Sequence, residues 1–582
     1  MDNHKKMNSI VLDISKKLFN VPMSKYVNKE VCFSGIVKRK GNVILKESAI
    51  TFLCKKCKSY CTLEQPTYIY SSKPLKPSHC TKCGSKSFQV VPDKNTFKDV
   101  QKISLHNFFN RLIEENEPTD IDVILEEDLV DSVSIGDLVQ VTGILEAEIT
   151  KKKHRYYMKA NSINKFKTSF EELDINNKDI KKIKELATDP EITNRIANSI
   201  VPSIYGYENL KKGIAYMLFG GINEKFEDTT EKRDNIHILM ACEPFFHKSR
   251  VLQNVAQLAP KGIYISCSGT SKAGLTVSHS MDKFGPLTEA GALVLGNQCI
   301  CIDELDMMKP KDKNYIYEAI TDQEITILAH TNRLETRCAV LATVYSQSEC
   351  FYKGKSVEEQ IKIPFEILNA FDLVIVIKDK SDIETDGKYA QYALNMHKKS
   401  GIQLQIDQDL LKKYIAYAKN NIRPKFTENS LKILKDFRVR LRDFEHYNGE
   451  IFNAVTLESL IKLAEASAKI RLSDTVTKLD SKNAVELQIA CLEQAGYYLD
   501  IDIRDIMEGR ILKSDRDIMQ GIVNVISDLS RRYSGKVPVI SVLNEMKERY
   551  NIIEEKSTEM IEILEISMGL IFEPQEGYLK LV

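Results

Sequence analysis

The residues best suited by type to do chemistry are the adjacent acids Asp303 and Glu304, which follow the apolar run Ile300 to Ile302. Two carboxylates delivered by a buried parallel strand can divide labour: the first holds Mg2+, and the second polarises a water for attack on a γ-phosphate. This is a Walker B arrangement. Its expected counterpart is a strand, a glycine-rich turn and a Lys-Ser pair opening a helix. Residues 236–254 supply part of it, with the apolar run Ile236 to Met240 and then Cys242-Glu-Pro-Phe-Phe-His-Lys248-Ser249. Lys248 stands where it can reach phosphate oxygens and Ser249 where it can ligate Mg2+, but the glycines are gone. Cys242, Phe245 and His247 replace residues whose smallness lets backbone N–H groups curl around phosphate, so the sequence predicts an obstructed loop.

A second chemistry-bearing set is Cys54-Lys-Lys-Cys57 and Cys80-Thr-Lys-Cys83, two CxxC knuckles separated by 22 residues. That spacing fits a tetrahedral four-cysteine zinc ribbon, and four thiolates leave no open position for water, so the metal is structural. The intervening sequence is polar and turn-rich and needs a metal to fold. Cys61 falls outside the spacing. Segments with alternating apolar residues flank the ribbon: Glu30 to Lys38 before it, Asp137 to Leu145 and Tyr156 to Ile163 after it. They predict a small closed barrel of OB type with the ribbon inserted. Lys151, Lys152, Lys153 and Arg155 lie between the last two strands and would present positive charge to DNA phosphates from a hairpin tip.

At 582 residues, 43% hydrophobic and 28% charged, the chain is long enough for several ordinary soluble cores. A formal net charge of +1 gives no global attraction to nucleic acid, so DNA binding must rest on local patches. No apolar run reaches the roughly 18 residues of a membrane span, and the N-terminus carries no signal-peptide pattern. Thirteen cysteines, several in apolar strands (Cys299, Cys301, Cys338), suit a reducing compartment without disulfides.

Residues 204–304 resemble the minichromosome maintenance (MCM) family of hexameric DNA helicases. The resemblance rests on Ile204-Tyr-Gly-Tyr-Glu with Leu218-Phe-Gly-Gly221, on Gly274-Leu-Thr-Val277, and on Glu289 to Leu295 with Ile302-Asp-Glu-Leu-Asp306. It implies a multidomain α/β and β fold: a short N-terminal helix in 1–26, an OB barrel over 27–168 with its ribbon at 54–83, and a linker over 169–195. An AAA+ ATPase core over 196–385, a helical lid over 405–475 and a winged-helix-like domain over 514–582 follow. It also implies a nuclear protein that binds single-stranded or duplex DNA and joins another MCM subunit in a hetero-oligomeric ring. Lys283, in the family's helix-2 insert, and Arg333, in a shortened pre-sensor hairpin, are candidate DNA contacts. Asp122 to Ser132, Lys159 to Ile163 and Leu411 to Ala418 look most like the family's eighth paralogue, associated with recombination and meiotic crossing over.

The departures matter as much. The family's sensor-1 Asn is Tyr345 here, its Ser-Arg-Phe-Asp arginine finger is Asn369-Ala-Phe-Asp372, and its second sensor arginine is Val455. Loss of an arginine finger alone costs about 10³ to 10⁵ in rate. The sequence therefore predicts a DNA-associated ring subunit for recombination or repair, with zinc, a degenerate ATP and Mg2+ site and little hydrolysis of its own. The rival is an active ATP-dependent helicase subunit whose partner supplies the missing arginines.

Overall fold

The computed structural model describes residues 12–13, 23–65, 74–106, 120–149 and 154–166, most of 175–497 except short segments (chiefly 226–230, 328–331, 379–386, 395–405 and 449–455), and most of 515–581. It falls into two units, Met1–Ile501 and Asp502–Val582.

After the short strand Leu12–Asp13, the described residues of the first unit form eight strands: β1 (Glu30–Gly41), β2 (Ile44–Cys54), β3 (Tyr60–Glu64), β4 (Phe88–Val90), β5 (Thr96–His106), β6 (Asp120–Glu126), β7 (Leu138–Ile149) and β8 (His154–Lys165). Strands β1, β7, β8, β6 and β5 pair in that order and β5 returns to β1, which closes the barrel predicted from the alternating pattern. Val31, Phe33, Leu105, Val123 and Val141 fill its interior. Strand β2 pairs with β5 and carries β3 and β4, so the ribbon grows out of the barrel sheet.

The α/β region follows as α1 (Asn177–Ala187), α2 (Ile192–Ile200), α3 (Glu208–Phe219), β9 (Ile238–Cys242), α4 (Lys248–Leu258), β10 (Ile263–Ser266), β11 (Val277–Asp282), β12 (Gly285–Ala290), β13 (Cys299–Asp303), α5 (Pro310–Thr321), β14 (Glu324–Ile327), β15 (Asn332–Glu335), β16 (Ala339–Tyr345), α6 (Phe365–Ala370) and β17 (Leu373–Ile377). Its five-stranded sheet has the order β10-β13-β16-β9-β17, all parallel. Strands β9, β13 and β17 are buried along their whole length, and they are apolar throughout except for Asp303 at the end of β13. The lid is α7 (Gln408–Asn421), α8 (Glu428–Asn448), α9 (Leu457–Ile470) and α10 (Lys478–Gln494). Among the described residues no helix is long and apolar enough to cross a membrane.

Four boundaries differ from expectation. Within the expected N-terminal helix, Leu12–Asp13 instead adds as a parallel strand to Val31–Cys32 of β1. The expected linker over 169–195 is folded from residue 177 onward: Asn176 and Asp179 form a capping box for α1, Ile183 is buried, and Ile192 begins the buried face of α2. The lid does not end at 475 but continues through α10, which a second capping box starts at Thr477 with Asp480. The helix-2 insert is a hairpin, β11–β12, whose second strand pairs with the end of β1: Leu287 opposite Gly41, Thr288 opposite Lys40, Glu289 opposite Arg39. Arg39 donates to Glu289 at 2.9 Å, which fastens the α/β region to the barrel.

The second unit contains α11 (Asp515–Ser530), β18 (Val537–Pro538), α12 (Val539–Tyr550), β19 (Ile571–Gln575) and β20 (Tyr578–Leu581), with strand order β18-β20-β19. Ile522, Val525, Val542, Met546 and Leu579 share its core.

Candidate nucleotide site and metal centre

The central strands of a parallel sheet deliver their C-terminal ends to one edge, where open α/β sheets bind ligands. Here that edge collects Cys242 from β9, Asp303 from β13 and Tyr345 from β16, with α4 starting at Lys248. The sequence-predicted residues converge. Asp303 is 4% exposed. Its Oδ1 accepts from Thr343 Oγ1 at 2.7 Å and lies 3.3 Å from Lys248 Nζ. Its Oδ2 accepts from Ser249 Oγ at 2.6 Å and from Tyr264 OH at 3.0 Å. Glu304 Oε1 stands 3.5 Å from Lys248 Nζ, and the Glu304 backbone is left-handed at φ 60°. Thr343 Oγ1 also accepts from the Glu304 N–H at 3.1 Å, so one buried hydroxyl holds both acids in place.

Electrostatics follow from this packing. Burial pushes the Asp303 carboxyl up, but the hydroxyls of Ser249 and Thr343 and the charge of Lys248 outweigh it and hold the group below the usual carboxylate range. Burial likewise works against the Lys248 ammonium, yet Tyr345 and Asp303 raise its pKa above the ordinary value. The ammonium sits 3.3 Å from the centroid of the Tyr345 ring, within the range of a cation–π contact worth about 0.5–2 kcal/mol. Thr343, Tyr264 and the Lys248–Tyr345 stack are the parts that sequence reasoning missed. A hydroxyl inside the otherwise apolar run Ala339 to Val344 was the available signal for Thr343.

Cys242 is buried at the end of β9, and its thiol donates to the Met240 carbonyl at 3.7 Å. His247 is exposed, and the Phe246 ring packs edge-on against Tyr207 at 5.1 Å; Phe245 lies outside the described residues. The backbone itself turns inward. The Phe246 N–H donates to the Glu243 carbonyl at 3.3 Å and the Lys248 N–H to the Phe246 carbonyl at 2.7 Å. In a phosphate-cradling loop the amide of that lysine points at the ligand.

A Mg2+–nucleotide therefore fits the residues in part. The Lys248, Ser249 and Asp303 side chains have the right types and adjacency, whereas the inward amides and the ring over Lys248 oppose it. Ala370 ends α6 without a guanidinium, and Asp372 turns to the lid, where Ser459 Oγ and Lys462 Nζ each lie 2.6 Å from its Oδ1.

The block Glu289 to Leu295 has a packing reason for its glycine. Gly291 lies so close to Leu275 and Thr276 that a Cβ there would fall 2.5–2.6 Å from their backbone atoms. Its N–H donates to the Thr276 carbonyl at 2.6 Å.

The four cysteines also meet. The Sγ atoms of Cys54, Cys57, Cys80 and Cys83 all lie within 4.8 Å of one another, with Cys54–Cys83 and Cys57–Cys80 at 3.5 Å. Zn–S bonds of about 2.3 Å in a tetrahedron require edges of about 3.8 Å, so this donor set fits Zn2+. The two knuckles are built alike: the Lys58 and Gly84 N–H groups donate to the Cys54 and Cys80 carbonyls at 3.0 and 2.8 Å, with φ of 60° and 69°. A bound zinc would pin β2 to the turn at 80–83.

Of the predicted DNA contacts, Lys151, Lys152, Lys153 and Lys283 lie outside the described residues, as does Val455. The backbone of Arg155 pairs with Glu148 across the β7–β8 hairpin, and that of Arg333 with Thr326 across β14–β15.

Comparison with known proteins matches this architecture segment by segment. The profile of the MCM OB domain matches residues 23–148, that of the MCM P-loop domain 179–397 and that of the MCM AAA-lid domain 409–492. The Minichromosome maintenance protein MCM of Saccharolobus solfataricus is 36% identical over 473 residues, covering 78% of this chain and 68% of that protein. The chain belongs to the MCM family. DNA replication licensing factor MCM2 of Arabidopsis thaliana is 30% identical over 535 residues, covering 84% of this chain and 56% of its own length. DNA replication licensing factor MCM4 of the same plant is 29% identical over 511 residues, covering 81% and 60%. The chain thus spans little more than half the length of these plant MCM relatives. The MCM lid profile reaches residue 492, which agrees with α10 as the lid's last helix.

Proposed function

We propose that this chain is a DNA-binding ring subunit of an MCM-type assembly, with a structural zinc and a nucleotide site that binds ATP weakly and hydrolyses little of it alone. The observation that carries this reading is the Lys248 N–H bonded to Phe246 inside its own loop, at the position where a phosphate oxygen should be met. The absent finger at Ala370 adds a rate penalty of about 10³ to 10⁵ for any neighbouring site that would depend on it. The barrel and ribbon are the elements suited to DNA, and the partner is another MCM subunit that completes a hetero-oligomeric ring in the nucleus. Resemblance to the eighth paralogue supports a role in homologous recombination, repair or meiotic crossing over.

The second reading is an active ATP-dependent helicase subunit working in replication or repair. Two observations favour it: Ser249, Lys248 and Asp303 keep their mutual geometry, and the plant relatives are named as replication licensing factors. Turnover with Glu304→Gln separates the two. Under the first reading, ATPase of a mixture with an MCM partner is unchanged by the substitution in this chain; under the second it collapses.

A further inference from the structure

We propose that Tyr345 is the stopper of the nucleotide site, the residue that decides whether Lys248 is offered to a triphosphate or kept inside the protein. The inference rests on the weak-nucleotide reading above and names its determinant.

Tyr345 ends β16 at the level of Cys242 and opposite the start of the phosphate loop, because the register places Cys242 directly beside it. From there its ring lies 3.3 Å from Lys248 Nζ, while Asp303 Oδ1 and Glu304 Oε1 approach the same ammonium at 3.3 and 3.5 Å. The Lys248 side chain is left 4% exposed. Two carboxylates and an aromatic face together supply a negative environment around the cation with no ligand bound, although the buried ammonium makes no hydrogen bond of its own among the described residues. A triphosphate must therefore displace the ring and compete with both acids.

Among the described loop side chains, Phe246 and His247 do not do this job. His247 is exposed and Phe246 packs on Tyr207, away from the ammonium. The barrier thus comes from the opposite wall of the site, at the position where the family pattern has a short amide. Asparagine there would leave the lysine's other partners in place and open the space over its ammonium. The stacked ring also explains how the acids and Lys248 can persist in a site with an inward-turned loop: they form a cluster that holds α4, β13 and β16 together.

The test is calorimetric titration of ATP with Mg2+ into the purified full chain and its variants, each first checked for a cooperative melt. Tyr345→Asn is expected to bind at least tenfold more tightly than the parent, Tyr345→Phe to remain as weak, and Lys248→Ala added to Tyr345→Asn to erase the gain. Tyr345→Ala replaces the Asn variant if the latter fails to melt cooperatively. A folded Asn or Ala variant that binds no better than the parent overturns the stopper and leaves the weak-nucleotide reading standing. Tight binding by the parent itself overturns that reading and the stopper with it.

Discussion

Asp372 lies between α6 and β17, and its removal is expected to be severe for a reason unrelated to catalysis. The residue is 4% exposed. Its Oδ1 accepts from Ser459 Oγ and lies 2.6 Å from Lys462 Nζ, and its Oδ2 accepts from the His237 N–H at 2.8 Å. Lys462 is itself 5% exposed, with the Asn235 carbonyl at 3.1 Å as a further partner. This one carboxylate therefore joins the start of β9, the start of β17 and the lid helix α9. Asp372→Ala leaves an ammonium buried beside a His237 N–H that has lost its acceptor, and breaking one side of such a pair costs about 3–5 kcal/mol. With each kcal/mol worth about 2 °C in a unit this large, the melting temperature should fall by 6–10 °C on that scale. Differential scanning fluorimetry measures it, and Asp372→Ala/Lys462→Met should recover a large part of the loss. Burial raises the Asp372 carboxyl, but Lys462 and Ser459 outweigh it and hold it below the ordinary carboxylate range. A lowered folded pKa gives stability that is fully present above the unfolded value near 4 and disappears as pH falls through the folded one. The gap between the parent and Asp372→Asn should thus be flat at neutral pH and close only in acid. A melting temperature for Asp372→Ala within about 1 °C of the parent, or a double variant no better than the single one, would refute the reasoning.

Two further outcomes are expected. Metal analysis should find zinc stoichiometric with the chain; Cys80→Ser should release it and loosen hydrogen-exchange protection in β2 to β4 while leaving the α/β sheet protected. Lys469 is 2% exposed and donates to the Gly221 carbonyl, and burial with the nearby charge of Lys419 lowers its pKa to about 7. The unfolded chain then binds the extra proton, so stability should rise with pH between about 7 and 10. Melts of Lys469→Met should lack that rise, and an identical pH slope in both proteins would contradict the assignment.

The chemistry of this chain was more legible in its sequence than its boundaries were. The CxxC pairs and the Asp303–Glu304 step are local patterns, and the structure brings both sets together. The linker was misread because the charged face of α1 dominates its composition, although Asn176 and Asp179 already marked a helix start. Helix α10 carries no simple apolar stripe, since Asp480, Ser481 and Gln488 are buried alongside Ala484 and Leu492. The position of Tyr345 as a departure was readable, but its contact with Lys248 depends on β9 and β16 being neighbours, which no local pattern encodes. The same holds for the strand pairing of Leu287 to Glu289 with β1, because one isolated amphipathic hairpin does not name its partner.

With Asp303, Glu304 and Tyr345 already gathered around Lys248, the isolated chain should bind nucleotide poorly. The most direct measurement is titration of ATP with Mg2+ into the isolated chain, followed by steady-state phosphate release. The account predicts no saturable heat up to ligand concentrations of about 1 mM, which corresponds to binding weaker than about −4 kcal/mol, and negligible release. A low-micromolar dissociation constant with steady turnover abolished by Glu304→Gln would contradict it.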